Sequence, residues 1–215
     1  MNIIEFSNKL IHPSNVLVSG PTGCGKTNFV FRLIVNNMFN TRFDRIVIVY
    51  SEWQTLYDKL KIYRPDIEFV QNFDEKLYES FDPKANNIVI LDDQMTNIGS
   101  SKTITNLFTK GSHHRNITII YLVQNFYEQN KNQRTITLNS QYIVLFKNPR
   151  GHLQAMKFGM EMFPKRANVF SDIYKDATQE PHGYLLIDTR PETPDQFRLR
   201  TKNFPGEESY VYTQQ

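Results

Sequence analysis

The sequence has little of several features that mark particular classes of protein. Its 215 residues include one cysteine, Cys24, so no disulfide can form within the chain and an intracellular protein is expected. No apolar run approaches the ~20 residues that cross a membrane. The first residues, MNIIEFSNKL, lack the basic and then apolar pattern of a signal peptide. These absences predict a protein with no membrane partner.

What is present suits a folded α/β protein. Hydrophobic residues make up 40% of the chain and aromatic residues 13%, which is enough for a substantial core. The net charge of +3 permits contact with nucleic acid but does not by itself indicate it. The length favours one domain over residues 1–215. We divide it into a nucleotide-binding core at 14–150 and an extension of the same domain at 151–215.

Residues 19–28, SGPTGCGKTN, contain the pattern G-x-x-x-x-G-K-[ST] at residues 20–27. An apolar run, NVLVSG, precedes this loop, and apolar residues at helical spacing follow it. The strand, loop and helix that phosphate binding requires are therefore all predicted. We expect ATP to contact nine consecutive residues, which are Gly20, Pro21, Thr22, Gly23, Cys24, Gly25, Lys26, Thr27 and Asn28.

Within this loop, backbone N–H groups and the helix N-terminus would face the phosphates. Lys26 would reach the β- and γ-phosphates, and the Thr27 hydroxyl would bind Mg²⁺. Cys24 has two readings, because it is either a small filling residue or a redox-sensitive thiol at a helix N-terminus.

Further β-branched runs predict a parallel sheet covered by helices on both faces. They are RIVIVY, IEFV, NIVILDD, NITIIYLVQN and QYIVLF. After Pro149 the pattern changes to two helical segments and then to the strands GYLLID and FRLRT, which read as a hairpin. The expected fold class is therefore an α/β P-loop NTPase of the RecA-like type with a C-terminal helical and β-hairpin extension. The order of the strands is not readable.

Two adjacent acids end the run IVILDD. Asp92 suits a carboxylate that assists Mg²⁺ from just outside its direct ligands, and Asp93 suits the base that orients the attacking water. The competing interpretation is an ordinary solvated turn. GTPases and small-molecule kinases generally lack the second acid, and their chain runs directly from the loop unit to the acid-bearing strand. Here RIVIVY intervenes, which favours the ATPases that include motors, helicases and transporters.

Gln124 follows the apolar run ITIIYLV, where a strand is expected to end. A polar amide at that edge can sense the γ-phosphate or hold the water; the alternative is a strand-end residue that meets solvent. Arg115 lies in the basic segment KGSHHRN. This segment is either a solvated loop or the source of an arginine finger for a neighbouring subunit. Arg134 and Arg150 are rival candidates for the finger.

The absence of three motifs argues against particular classes of nucleotide-binding protein. The guanine-specificity tetrad [NT]-K-x-D, the transporter signature L-S-G-G-Q and an arginine-rich lid of nucleotide kinases are not found.

Taken together, SGPTGCGKT, IVILDDQM, SHHRNITIIYLVQN, LNSQYIVLFKNPRG and GYLLIDTRPETP resemble viral genome-packaging ATPases. The likeness is to those of Polinton/Maverick elements and adintoviruses, which are relatives of the poxvirus-type packaging ATPase in the FtsK–HerA superfamily. It extends from residue 15 to about residue 201.

The resemblance implies a ring of five or six subunits that uses ATP and Mg²⁺ to thread double-stranded DNA into a preformed capsid. It implies a capsid vertex or portal protein as a partner. The expected location is the host cell, in the nucleus or a cytoplasmic virus factory, or the virion. Gly20, Gly23, Gly25, Lys26 and Thr27 match the family's Walker A motif. Asp92 and Asp93 match Walker B, where many relatives have Asp-Glu.

Gln124 matches the family's strand-end glutamine, and Arg115 falls near its arginine before the strand. Lys131 and Arg134 are candidate DNA contacts, since lysines and arginines that line a pore would meet phosphates. Two other functions stay open. One is a nucleoside or nucleotide kinase, and the other is an ATP-binding adaptor that docks at a portal without translocating DNA.

Overall fold

The computed structural model describes residues 7–92, 101–125, 131–163 and 166–213. Nine strands in this part of the chain form one sheet, in the order β3-β2-β4-β5-β1-β6-β7-β8-β9. The strands are β1 (Asn15–Ser19), β2 (Arg45–Tyr50), β3 (Glu68–Val70), β4 (Asn87–Asp92), β5 (Ile117–Val123), β6 (Tyr142–Phe146), β7 (Tyr184–Asp188), β8 (Leu199–Thr201) and β9 (Tyr210–Tyr212).

The first six strands pair in parallel, and β7, β8 and β9 continue the sheet in antiparallel pairs. Every residue of β1, β4, β5 and β6 is buried, as the continuous apolar runs predict for strands covered on both faces. Strand β5 lies between β1 and β4. The phosphate-loop strand and the Asp92 strand are therefore separated by the strand that precedes Gln124.

The helices are α1 (Lys26–Val35), α2 (Thr55–Tyr63), α3 (Glu75–Glu79), α4 (Ser101–Asn106), α5 (Ser112–His114), α6 (Lys131–Leu138), α7 (His152–Met162) and α8 (Ala167–Ala177). A π-helical segment, Leu107–Gly111, joins α4 to α5, and a 3₁₀ turn, Asp195–Phe197, precedes β8. None of the helices among the described residues has the length and apolar character needed to cross a bilayer.

The core has two layers because successive strand residues point to opposite faces of the sheet. On one face, Val16 and Val18 of β1 pack with Phe29 and Leu33 of α1. On the other face, Leu17 of β1 joins a cluster that includes residues of α4, α6, α7 and α8. Helices thus cover both faces of the sheet. Packing on both faces holds the ends of the strands, and the residues that follow them, in fixed positions.

The structure confirms the predicted α/β class and the C-terminal extension. The short strand expected at residues 67–70 is present at Glu68–Val70, and the hairpin expected after residue 183 is formed by β7 and β8. Other elements were not expected. The sequence analysis did not predict β9, which pairs with β8, nor the short helices α2 and α3. Helix α1 ends at Val35, and Asn37, with φ of 49°, turns the chain away from the helix axis.

Candidate nucleotide-binding site

The carboxyl ends of β1, β4 and β5 bring the predicted nucleotide residues to one edge of the sheet. Ser19 pairs with Val123, and the backbone N–H of Gly20 donates to the Val123 carbonyl at 3.2 Å. Gln124 therefore follows immediately beside the start of the loop, where it is exposed. Asp92, the last residue of β4, lies at the same edge, since β4 and β5 run parallel and pair Asp92 with Leu122.

The loop at residues 20–27 is closed by bonds within itself. Lys26 Nζ donates to the carbonyl oxygens of Gly20 and Pro21, at 2.7 and 3.1 Å. The backbone N–H of Cys24 donates to the Pro21 carbonyl at 3.2 Å. The ammonium group thus spans the mouth of the loop, where a phosphate bound by the loop would meet a positive charge. Thr22 and Asn28 are exposed on either side of it.

Two glycines of the motif are required by the geometry. A Cβ on Gly20 would lie 2.6 Å from Cys24 Sγ and 2.7 Å from Phe146 Cβ, which is too close for any side chain. Gly25 has φ of 110°, in the left-handed region that L-residues with side chains rarely adopt. It stands directly before α1, so the backbone can turn from the loop into the helix there.

His182, in the turn between α8 and β7, touches the loop from the C-terminal extension. Its Nδ1 lies 3.0 Å from the Cys24 carbonyl oxygen and donates to it as the protonated nitrogen. Because the peptide is planar and trans, fixing the Cys24 carbonyl on one side directs the Gly25 N–H to the other. The sequence analysis missed this residue, and no local pattern around it would have indicated the contact.

Asp92 is held by several hydrogen bonds. Its side chain is buried, and one oxygen, Oδ2, accepts hydrogen bonds from three side chains. The donors are Thr27 Oγ1 at 3.2 Å, Gln54 Nε2 at 3.1 Å and Tyr57 Oη at 2.6 Å. The two residues predicted to bind magnesium, Thr27 and Asp92, are therefore in direct contact.

Gln54 and Tyr57 were not predicted. Gln54 carries a signal that was available, since it is a polar residue just beyond the end of a predicted strand, at the edge where ligands bind. Tyr57 carries none, because its spacing from the buried Leu60 is that of an ordinary core residue on a helix.

The donor set fits magnesium. A threonine hydroxyl and a carboxylate are hard oxygen ligands, which Mg²⁺ prefers. Among the described residues, no group of three or more His, Cys, Asp or Glu side chains could hold a metal. Mg²⁺ in ATPases is usually bound through one or two carboxylates plus substrate phosphates, and Asp92 could supply one such carboxylate.

Cys24 is half-buried against the core that includes α1. Burial raises the pKa of its thiol, while the nearby Lys26 charge opposes that rise. A raised pKa leaves less thiolate at neutral pH and so lowers reactivity. This favours the filling role of Cys24 over the redox role.

Arg115 lies at the amino ends of the parallel strands, which is the edge of the sheet opposite to the loop. It lies two residues before Ile117, the first residue of β5. Because β5 is seven residues long, roughly 20 Å separate Arg115 from Gln124 at the far end of the strand. Its guanidinium donates to the carbonyl oxygens of Glu79 and Phe81, each at 3.1 Å. It cannot reach the nucleotide of its own subunit, so a role as a finger for a neighbouring subunit stays a prediction.

The roles expected for four further residues stay predictions. Asp93 lies outside the described residues. Arg150 is exposed in the turn after β6, at the loop edge of the sheet, and Arg134 is exposed in the middle of α6. Lys131 is the first residue of α6. Of the two rival finger candidates, Arg150 is therefore on the same edge as the phosphate loop.

Solved structures share this fold. The genome-packaging NTPase B204 of Sulfolobus turreted icosahedral virus 2, in complex with ATP-γ-S, is 12% identical with a TM-score of 0.55, over 94% of this chain and 97% of that one. The same protein with AMPPCP is 14% identical with a TM-score of 0.55, over 84% and 95%. B204, the DNA-packaging ATPase from Sulfolobus turreted icosahedral virus, is 12% identical with a TM-score of 0.55, over 94% and 98%.

The sequence matches no protein-family model, and a search of curated proteins gives no significant match. At such low identity the structural likeness concerns the fold. The chain accordingly has the α/β fold of P-loop NTPases, with a mostly parallel central sheet, flanking helices and C-terminal antiparallel strands.

Proposed function

We propose that this protein is an ATPase that drives double-stranded DNA into a viral capsid. The observation that carries the proposal is the contact between Thr27 Oγ1 and Asp92 Oδ2, beside the loop that Lys26 spans. These groups lie at the carboxyl edge of a parallel sheet, which is where α/β proteins bind nucleotides.

The residues divide the work of hydrolysis. Loop N–H groups and Lys26 would hold the phosphates, and Thr27 and Asp92 would hold Mg²⁺. A bound Mg²⁺ supplies charge stabilisation at the phosphate oxygens. Gln124, beside the loop, would sense the γ-phosphate or orient water, and Asp93 would act as base. An arginine from a neighbouring subunit, either Arg115 or a rival, would complete the site.

The DNA and capsid parts of the proposal are supported by two things. Motifs across the chain resemble viral packaging ATPases, and structures of two B204 packaging proteins share the fold over nearly the whole chain. The proposed partners are duplex DNA, further copies of the chain in a ring, and a capsid vertex or portal protein. The proposed location follows from these partners and is the infected cell or the virion.

The first test measures ATP hydrolysis with and without duplex DNA, alongside the mass of the particle in solution. We expect a ring-sized assembly whose hydrolysis rises when DNA is added. Lys26→Ala should abolish hydrolysis, whereas Lys59→Ala, on the exposed side of α2, should leave it unchanged.

Other outcomes would contradict the proposal or support a different function. Undiminished hydrolysis in Lys26→Ala would contradict the site. A monomer whose hydrolysis ignores DNA would contradict the motor. Transfer of phosphate to a nucleoside or nucleotide would identify a kinase, and nucleotide binding without hydrolysis, even with DNA present, would identify an adaptor.

A further inference from the structure

The segment between β2 and α2 reaches across to the predicted magnesium site. Tyr50 and Asp92 are paired as the last residues of β2 and β4, so the chain leaves β2 next to the Asp92 carboxylate. Gln54 is the residue before α2, and Tyr57 lies in its first turn. Both side chains donate to Asp92 Oδ2, at 3.1 and 2.6 Å.

The Tyr57 hydroxyl is held in place by its surroundings. The tyrosine side chain is only 2% exposed. Its ring contacts the rings of Tyr50, Trp53 and Phe69, with centroids 6.0, 5.5 and 5.5 Å apart. A buried aromatic ring packed on several sides has little freedom to rotate, so the position of its hydroxyl is fixed by the core rather than by Asp92.

An aspartate side chain can rotate about two bonds. Hydrogen bonds that fix the position of one carboxylate oxygen therefore restrict both rotations. With Oδ2 directed at Tyr57, Gln54 and Thr27, the orientation of the whole group is defined relative to the loop. Side chains that orient a metal ligand in this way commonly matter nearly as much as the ligand itself.

We propose that Tyr57 and Gln54 are positioning residues of the magnesium site, which hold the Asp92 carboxylate in the orientation that receives Mg²⁺·nucleotide. The inference rests on the nucleotide-binding part of the proposed function and is independent of DNA and of the capsid. It adds the β2–α2 segment, which carries no nucleotide-binding motif, to the machinery of the site.

The test compares Tyr57→Phe with Tyr50→Phe in the full chain. Both variants remove one hydroxyl from the same aromatic cluster, but only Tyr57 donates to Asp92. The measurement is the affinity for a non-hydrolysable ATP analogue, with Mg²⁺ and with a chelator. In Tyr57→Phe we expect the Mg²⁺ needed for half of the affinity gain to rise about 10- to 100-fold. Affinity in chelator should not change, and Tyr50→Phe should match the wild type in both.

Gln54→Leu provides a second variant, because Gln54 is only half-buried and its loss threatens folding less than a change in the core. It should shift the Mg²⁺ requirement in the same direction by a smaller factor. Thermal melting of all three variants establishes that each is folded at the assay temperature.

The outcomes separate this inference from the function beneath it. A normal Mg²⁺ response in both Tyr57→Phe and Gln54→Leu would overturn the positioning role alone. An equal loss of affinity with Mg²⁺ and with chelator would overturn it too, by showing a general structural effect. A wild-type chain whose nucleotide affinity ignores Mg²⁺ would instead overturn the metal site, and with it the inference.

Discussion

Two buried aspartates end strands of the same sheet, and their surroundings differ. Asp92 ends β4 at the phosphate-loop edge and receives hydrogen bonds from three uncharged side chains. Asp188 ends β7 at the opposite edge, paired with Tyr142, the first residue of β6. It lies between two guanidinium groups, Arg190 at 2.8 Å and Arg200 at 3.1 Å.

The contrast separates a structural carboxylate from a candidate functional one. Asp188 is fully buried with Arg200, which is 1% exposed, and Arg190 binds both of its oxygens. Burial lowers the pKa of the Arg200 guanidinium, and the charge of Asp188 counteracts this. The buried Asp188 carboxylate therefore has its charged partners within the chain. The Asp92 carboxylate is instead oriented by hydrogen bonds from one amide and two hydroxyl groups.

The largest expected effect is the loss of hydrolysis in Asp92→Asn. A bound metal provides several kcal/mol of charge stabilisation, so the rate should fall about 100-fold or more. The steady-state rate at saturating ATP and Mg²⁺ measures this, and the melting temperature should fall less than in Asp188→Asn. A variant that keeps its rate would end the distinction between the two aspartates.

Next in size is the loss of stability in Asp188→Asn. Removing one partner of a buried ion pair leaves the other charge uncompensated and costs about 3–5 kcal/mol. For a chain of this length the melting temperature should drop on the order of 10 °C. Hydrolysis per folded molecule at low temperature should match the wild type. Loss of activity with unchanged melting would show that Asp188 serves the site instead.

The smallest effect concerns Tyr142, next to Asp188. Burial, followed by the charge of Asp188, raises the pKa of the Tyr142 phenol to about 12. The neutral phenol is therefore favoured in the folded chain. Its contribution to stability is complete below about pH 10, the ordinary value, and is lost as the pH rises through about 12. Chemical denaturation between pH 9 and about 12 should show a shallower decline for Tyr142→Phe. An unchanged slope would contradict the raised pKa.

Much of the fold could be predicted because its central strands are locally explicit. The runs in β1, β2, β4, β5 and β6 are largely apolar, and each is bounded by polar or glycine residues. What could not be predicted depends on partners distant in sequence. Strand order requires knowledge of which runs pair, and β9 is a three-residue strand whose identity comes from pairing with β8.

The residues of the candidate site likewise fall into those that local sequence indicates and those that depend on distant contacts. The loop and Asp92 follow from a local motif and from a strand-end acid, and the structure brings Thr27 and Asp92 together. Tyr57 and His182 were missed because each contacts the site through a side chain that local sequence cannot distinguish from a core or loop residue.

Trp53 gives the site a consequence for observation. It is the single tryptophan of the chain, it is 42% exposed, and it stands next to Gln54 in sequence. Its ring meets Tyr57 edge-on, with centroids 5.5 Å apart, and Lys61 Nζ lies 4.5 Å from its ring centroid. The fluorescence of an indole ring responds to the polarity of its surroundings and to neighbouring charges. The unlabelled protein therefore contains a fluorophore that is separated from the Asp92 carboxylate by one ring, and its emission should report the proposed binding of metal and nucleotide in real time.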